Sequence, residues 1–545
     1  MKSRPLNKRN LLSVSALTLA LALSIGPSTA GPGEKPVSRA GRTQTALAVR
    51  GKFIDEFIAD FMAKNNVPGL TMAIVQAPYI PRSAGYGRAS TVNDQLASTR
   101  TMWNIGPITQ GFTAVAVFQL YEAHKLDIHD PVEKYVSGVP AAWAKITIFE
   151  LLQHASGISD YRNSPAFSEN QNYRPADLLA LVASNPLSFK SGSQVHMSAT
   201  DFALLGLVIE RASDMSFHDY VTKFQIEPLN LRSTMFAEDF PAKSFLDRPS
   251  KDTNENEHTR FKSEIPFIDP VEPAIGYREK DGKLVAVDAK LSEPLFAFGG
   301  LWSSAEDISV WDTALAGSTL VKSPEDRALI YQPTKLENGT TVPAMAGWEF
   351  THHPGFMEIK GSSPGFSSYL SRFTAASELV CVTLLANKEG VDLTNLARDI
   401  AEAYQAGLGP SIDTNKIVTQ ESKYSVDETA SRLQSQLKSM NVPIFAMFDH
   451  SENAKKAELE LRPTKVLVFG NAKVGTKLML DNQAIALDLP LRLSIWEDER
   501  SRVWVSYYSI DRLVEEYGIK DDATARTLSH VLETLVDRSV NIYDY

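Results

Sequence analysis

NIGPITQGFTAVAVFQLYE, residues 104–122, is the stretch whose reading decides the architecture. From Pro107 onward, apolar residues fall on every side of a 3.6-residue period: Ile108, Phe112, Val115, Ala116, Phe118, Leu120 and Tyr121. A helix that is apolar all round lies at the centre of a large core, so residues 107–123 are expected to form a buried central helix. Pro107 fits a helix start, because its fixed φ suits the first turn and its missing N–H would be unpaired there anyway. Neither a Ser nor a Lys stands in that first turn.

Working outward, a helix is expected where Phe53, Ile54, Phe57, Ile58 and Phe61 recur, and a buried strand at LTMAIVQ. A second apolar helix is expected over residues 199–212, through Phe202, Leu204, Leu205, Leu207, Val208 and Ile209. Strands follow at SYLSRF and ELVCVTLLAN, then an amphipathic helix from about Leu393 to Ala406. The polar run at residues 247–263 reads as a solvated loop and GLGPSIDTNK as a linker. Beyond it the pattern changes to an α+β domain: helix SVDETASRLQSQLKSM, strand IFAMFD, a second helix, strands VLVFG, LRLSIWED and VWVSYY, and helix LSHVLETLVDRSV. The expected organisation is therefore residues 1–30, a leader at 31–49, a first domain at 50–408, a linker at 409–419 and a second domain at 420–545.

Residues 1–30 read as a signal peptide. Lys2, Arg4, Lys8 and Arg9 precede an apolar run, Leu11–Ile25, and Ser28-Thr29-Ala30 offers small residues for cleavage after Ala30. The run is too short for a membrane span. The expected destination is the periplasm or the exterior of a bacterial cell. Cleavage would remove four basic residues and no acidic ones, carrying the formal charge from −10 to −14. So acidic a chain disfavours nucleic acid and anionic membranes as partners. The single Cys381 sits in an apolar run and reads as strand packing; it offers no internal disulfide.

Residues 50–408 resemble the serine β-lactamase and penicillin-binding-protein-like family, in its class C branch. The matching stretches run in order: VPGLTMAIV, FTAVAVFQLYEAHKLDIHDPVEKYV, ITIFELLQHASGISDY, FALLGLVIERAS, FGGLWSSAEDISVW and PGFSSYLSRF. The resemblance implies an α+β fold, an antiparallel sheet flanked by helices with a helical lobe, and a site between them. It also implies a Ser nucleophile and a Lys one turn later, a Tyr-x-Asn loop and a Lys/His-x-Gly edge strand.

Placed by their flanks, these elements are altered here. Pro107 stands for the Ser and Gln110 for the Lys. Met197-Ser198-Ala199 stands for Tyr-x-Asn, and Ile359-Lys360-Gly361 for His-x-Gly. Pro107 would also remove one oxyanion-hole donor, a loss worth about a hundredfold or more in rate. The vestigial positions are thus Pro107, Gln110, Met197, Ala199, Ile359 and Gly361, with no catalytic residue assigned. Thr109, His196, Ser198, Ser362 and Ser363 show no nucleophile–base–orienter pattern. Ser435-x-x-Lys438 and Tyr161-x-Asn163 fit the motifs out of context, His154 reads as a loop brace, and His352-His353 lack further metal ligands.

Residues 420–545 resemble the domain-of-unknown-function 302 family through IFAMFDHSENAKKAELELRPTKVLVFGNAKVGTKLMLDNQAIALDLPLRLSIWED. That resemblance implies a small α+β sandwich that often pairs, hence a homodimer through this domain, and no established reaction. Asp449, His450, Arg462, Thr476 and Asp488 are candidate ligand contacts there, against a reading as caps and turns. The sequence leads to an exported pseudoenzyme with no cofactor and no metal, binding a cell-wall fragment or peptide or acting as a scaffold. Two other readings stand beside it: a serine hydrolase with a displaced nucleophile, and function carried by the second domain.

Overall fold

Helix α1 (Ile54–Lys64) turns its stripe Ile54, Ile58 and Met62 into the core. Phe57 and Phe61 are only half-buried and Phe53 is 49% exposed, so the buried stripe is rotated from the expected one by about one residue. Strands β1 (Gly69–Gln76) and β2 (Tyr79–Ser90) follow as a hairpin. Helix α2 (Thr109–Glu122) is entered through a tighter turn at Gly106–Ile108, and eleven of its fourteen residues are buried. Helices α3 (Ala199–Ser213) and α4 (Ala305–Ala316) pack around it, with Phe112 stacked on Trp311 at 4.2 Å. Then come β3 (Trp348–Phe350), β4 (Phe356–Ser363), β5 (Phe366–Phe373), β6 (Val380–Ala386) and α5 (Thr394–Tyr404).

This computed structural model describes residues 39–42, 48–49, 52–76, 79–171, 173–240, 272–350, 355–373, 379–405, 408, 417–499 and 501–542. The expected signal peptide, most of the leader, the polar loop at 247–263, His352-His353 and most of the linker lie outside the described residues.

Among the described residues the strands make a nine-stranded sheet. Its order is 39–42, β2, β1, β6, β5, β4, β3 and 344–345, all antiparallel, with 95–96 alongside β2. The first and last parts of the domain meet where β1 pairs with β6. Side chains alternate across a strand. One face of the sheet therefore sends Ala73, Leu370, Leu385, Met357 and Ile359 into the large core shared with α2, α3 and α4. The other face carries Phe356 and Phe373 against Arg398 of α5. Cys381 lies in β6, half-buried rather than fully within the core.

The second domain holds β7 (Ile417–Ser422), α6 (Val426–Ser439), β8 (Ile444–Asp449), α7 (His450–Lys456), β9 (Thr464–Phe469), α8 (Ala472–Asp481), β10 (Leu491–Glu497), β11 (Val503–Tyr508), α9 (Ile510–Tyr517) and α10 (Asp522–Val540). Its five strands are ordered β7-β11-β10-β9-β8, and its core, built on Leu433, Leu467, Leu493, Ile495 and Val536, is separate from the first.

Candidate functional site

The head of α2 is built by three close approaches. Gly106 turns the chain with φ +45°, a conformation an L side chain rarely adopts, and a Cβ there would meet Ser363 at 3.2 Å. Pro107 is buried, and its ring lies on Gly361 of β4: a Cβ on Gly361 would come within 2.6 Å of Pro107 Cγ. One turn on, Gly347 lets the chain pass Gln110, whose Cβ would lie 2.7 Å from a Cβ there. Ile359 presses on Gly111 from the same strand face. Pro107, Gln110, Ile359 and Gly361, set 254 residues apart at the extremes, thus form one packed contact.

Gln110 is 1% exposed and tied into a buried polar chain. His154 Nε2–H donates to Gln110 Oε1 at 3.0 Å. With that proton on Nε2, Nδ1 accepts from the Ser198 N–H at 3.3 Å, and Asp201 Oδ2 stands 3.2 Å from the same nitrogen. Burial pushes the Asp201 carboxyl up, against hydrogen bonds from His154 and Ser156 that work the other way. Ser156 Oγ donates to Asp201 Oδ1 at 2.5 Å. His154 therefore braces three segments, as the sequence implied, and both its ring nitrogens are engaged.

The loop expected to carry Tyr-x-Asn joins the same assembly. Met197 is half-buried against the core, and Ala199 is fully buried at the start of α3, its N–H donating to Asp160 Oδ2 at 3.0 Å. Ser198 Oγ is buried and has no hydrogen-bond partner among the described residues. Its neighbour His196 is exposed. Thr109 Oγ1 accepts from the Leu301 N–H at 3.3 Å, and Ser362 Oγ donates to the Phe366 carbonyl at 2.9 Å, so both hydroxyls hold backbone. The out-of-context motifs are structural as well: Tyr161 donates its hydroxyl to the Pro294 carbonyl at 2.6 Å, and Ser435 is exposed on α6.

The five candidates of the second domain do not converge. Asp449 N-caps α7 through Glu452 N–H at 2.9 Å, and hydrogen bonds from Ser451 and Glu452 hold its carboxyl down at about 2. Asp449 and Arg462 line one hollow of about 690 Å³. His450 and Asp488 line another of about 540 Å³, and Thr476 lines a third of about 860 Å³. A shared cleft fails for Asp449 and His450 because they follow one another where a strand ends and a helix begins, and point into different hollows. Arg462 Nε donates to the Glu497 carbonyl at 3.2 Å, and Tyr517 donates its hydroxyl to Asp488 at 2.7 Å.

One cluster was missed. Glu349 of β3 and Glu358 of β4 are direct cross-strand partners, both 2% exposed or less. Two carboxylates in that register repel each other unless a cation lies between them. Lys423, from the second domain, is bonded to Glu358 and stands 3.5 Å from Glu349. Lys360 lies 3.2 Å from Glu358, and Tyr369 donates to it at 2.6 Å. Burial works against the Glu358 charge, yet Lys360 and Lys423 hold it far below the ordinary carboxylate range. Burial pushes the Glu349 carboxyl up. Beside this cluster, Arg398 of α5 reaches Glu421 at 2.7 Å. The signal in the sequence was two Glu residues inside the apolar strands WEF and FMEIK.

The nine-stranded sheet, the helical lobe and the buried α2 head are the frame of one family, and residues 54–405 match Beta-lactamase. The chain belongs to the beta-lactamase family. Residues 418–535 match the Domain of unknown function DUF302. The beta-lactamase-family chain is 29% identical over 336 residues to Protein flp of Staphylococcus aureus, covering 58% of this chain and 59% of that protein. It is 34% identical over 168 residues to a protein of Brucella suis named Fluoride-specific ion channel FluC 1, covering 30% of this chain and 65% of that protein. It thus spans less than two thirds of the curated relatives it matches. Among the described residues no helix is long and apolar enough to cross a membrane. Among solved structures, the octameric penicillin-binding protein homologue from Pyrococcus abyssi shares the fold with TM-score 0.52 and 20% identity, over 83% of this chain and 89% of that one.

Proposed function

We propose that this chain is an exported, catalytically degenerate member of the beta-lactamase family, whose first domain acts as a scaffold or holds a ligand without turning it over. The observation that carries the reading is Pro107 seated on Gly361 at the start of α2. The position aligned with the family's nucleophile has no hydroxyl, no backbone N–H and a ring in contact with the edge strand. The position aligned with the base is a neutral amide spent on His154. The export part rests on the basic and apolar pattern of residues 1–25. The scaffold reading draws support from Lys423, which ties the second domain to the back of β4.

A displaced nucleophile is the rival reading, and Ser198 is its candidate because its buried Oγ lacks a partner among the described residues and its N–H reaches His154. A nucleophilic hydroxyl needs a base within hydrogen-bond reach. The nearest histidine in the hydrogen-bond network, His154, has both ring nitrogens committed.

The deciding experiment is incubation of the full chain with a fluorescent penicillin and with a fluorophosphonate, followed by intact mass spectrometry. Both reagents require an activated hydroxyl. The expected result is no adduct from either; an acylated or phosphonylated serine would overturn the reading. Thermal-shift measurements with muropeptides test the ligand-holding form, and the scaffold form expects no shift.

A further inference from the structure

The hollow of about 860 Å³ in the second domain lies between α8 on one side and the ends of α6 and α10 on the other. Its volume falls in the range of about 300–1,000 Å³ usual for small-molecule sites. Helix α8 explains why it is open. The helix carries Val474, Leu478, Met479 and Leu480, yet only Leu478 is buried, and Leu480 is 81% exposed. Leu478 belongs to the domain's core and Met479 packs against it, while Val474 and Met479 line the hollow half-buried. Apolar surface left in this state favours an apolar guest.

The lining states the chemistry of the guest. Met440, Met479, Leu489, Leu528 and Val531 supply flexible aliphatic surface, with aromatic rings from Phe445 and Phe469 alone. Methionine and leucine adapt to a flexible chain better than to a rigid plane. The polar lining is Asn471, Thr476, Lys477, Thr524 and Thr527. Asn471 caps α8, its side-chain oxygen accepting from the Lys473 N–H at 2.9 Å. Lys477 is the single cation of the lining, and it is exposed. Asp521, whose carboxylate accepts from Thr524 N–H at 3.1 Å and Thr524 Oγ1 at 2.6 Å, is the acidic group near that lysine.

We propose that this hollow binds one long-chain fatty acid, its hydrocarbon tail along α8 against α6 and α10 and its carboxylate at Lys477. One apolar hollow with one cation at its lining suits a single chain with a single negative charge. The site is independent of the beta-lactamase-family domain, so it stands or falls apart from the reading of α2.

The test is fluorescence titration of the full chain with a dansyl-labelled undecanoic acid. Saturation at one molecule per chain, with displacement by palmitate, is expected. Ala486→Trp and Ala523→Trp place a ring in the hollow from exposed positions and should each weaken binding by about tenfold or more. Lys477→Ala should weaken palmitate more than hexadecanol, which has no charge. Absence of saturable binding overturns the proposal. So does unchanged affinity in both tryptophan variants, once far-ultraviolet circular dichroism shows that at least one is folded.

Discussion

Strand β4 has two faces of opposite chemistry. Toward α2 it presents Ile359 and Gly361, which meet Gly111 and Pro107 in a neutral, packed contact. Away from α2 it presents Glu358, buried with Glu349, and the half-buried Lys360, and Lys423 closes the cluster. A buried charge persists only where partners are fixed around it. The difference teaches that the join to the second domain is held by buried charge, whereas the contact with α2 is made of amide and aliphatic groups.

The sharpest way to break that contrast is Lys423→Met. It leaves two buried carboxylates with Lys360 as the cation remaining beside them, and a loss of about 3–5 kcal/mol is expected, read by urea denaturation of the full chain. Adding Glu349→Gln and Glu358→Gln should return much of it; if the single variant costs nothing, the interface does not depend on this cluster. On the other face, Gln110→Lys puts an ammonium against the His154 N–H with no carboxylate within the contact, and about 2–4 kcal/mol of destabilisation is expected. Combined with Pro107→Ser it should still leave nitrocefin intact, because Met197 and Ala199 offer no proton shuttle; turnover by that pair would show that the face remains built for catalysis.

The pH dependence separates the faces again. Glu358 is held below its unfolded value, near 4.3 for a glutamate, so it contributes stability above that pH that is lost as pH falls through the folded value. Lys360, raised by Glu358, Glu349 and Asp392 although burial opposes it, contributes stability that is complete below about 10.4 and is lost as pH rises through its folded value. Glu358→Gln should flatten the acid limb of a melting-temperature profile, whereas Gln110→Ala should shift the whole profile down without changing that limb. The smallest effect expected is from Pro107→Ala, about 1 kcal/mol or less for the lost ring contact, with no gain of activity.

Much of this was legible early. The α2 and α3 helices and strands β5 and β6 are long apolar runs whose periods leave one reading, and they fall where expected. Three elements of the second domain were not read. Strand β7, IVTQES, alternates weakly and resembles the linker before it. Helix α8 follows Gly470 and carries Gly475 in its interior, which breaks its helical period, and α9 is only eight residues long. For α1, Ile and Phe positions lie next to each other around the helix, and only packing decides which stripe goes inward. Of the six positions singled out in the sequence, Pro107, Gln110, Ile359 and Gly361 pack around the head of α2.

By itself the sequence determined that residue 107 has no hydroxyl and no N–H and that residue 110 has no amine, since these are covalent facts about single positions. It also determined the order of buried helices and strands, since hydrophobic period is a local property. Only the tertiary structure decided that Pro107 rests on Gly361, that Gln110 engages His154, that Lys423 separates two glutamates and that α8 gives Leu478 to the core of the second domain. Each of those joins segments distant in the chain, and their meeting depends on strand register and on how helices pack, which no local pattern encodes.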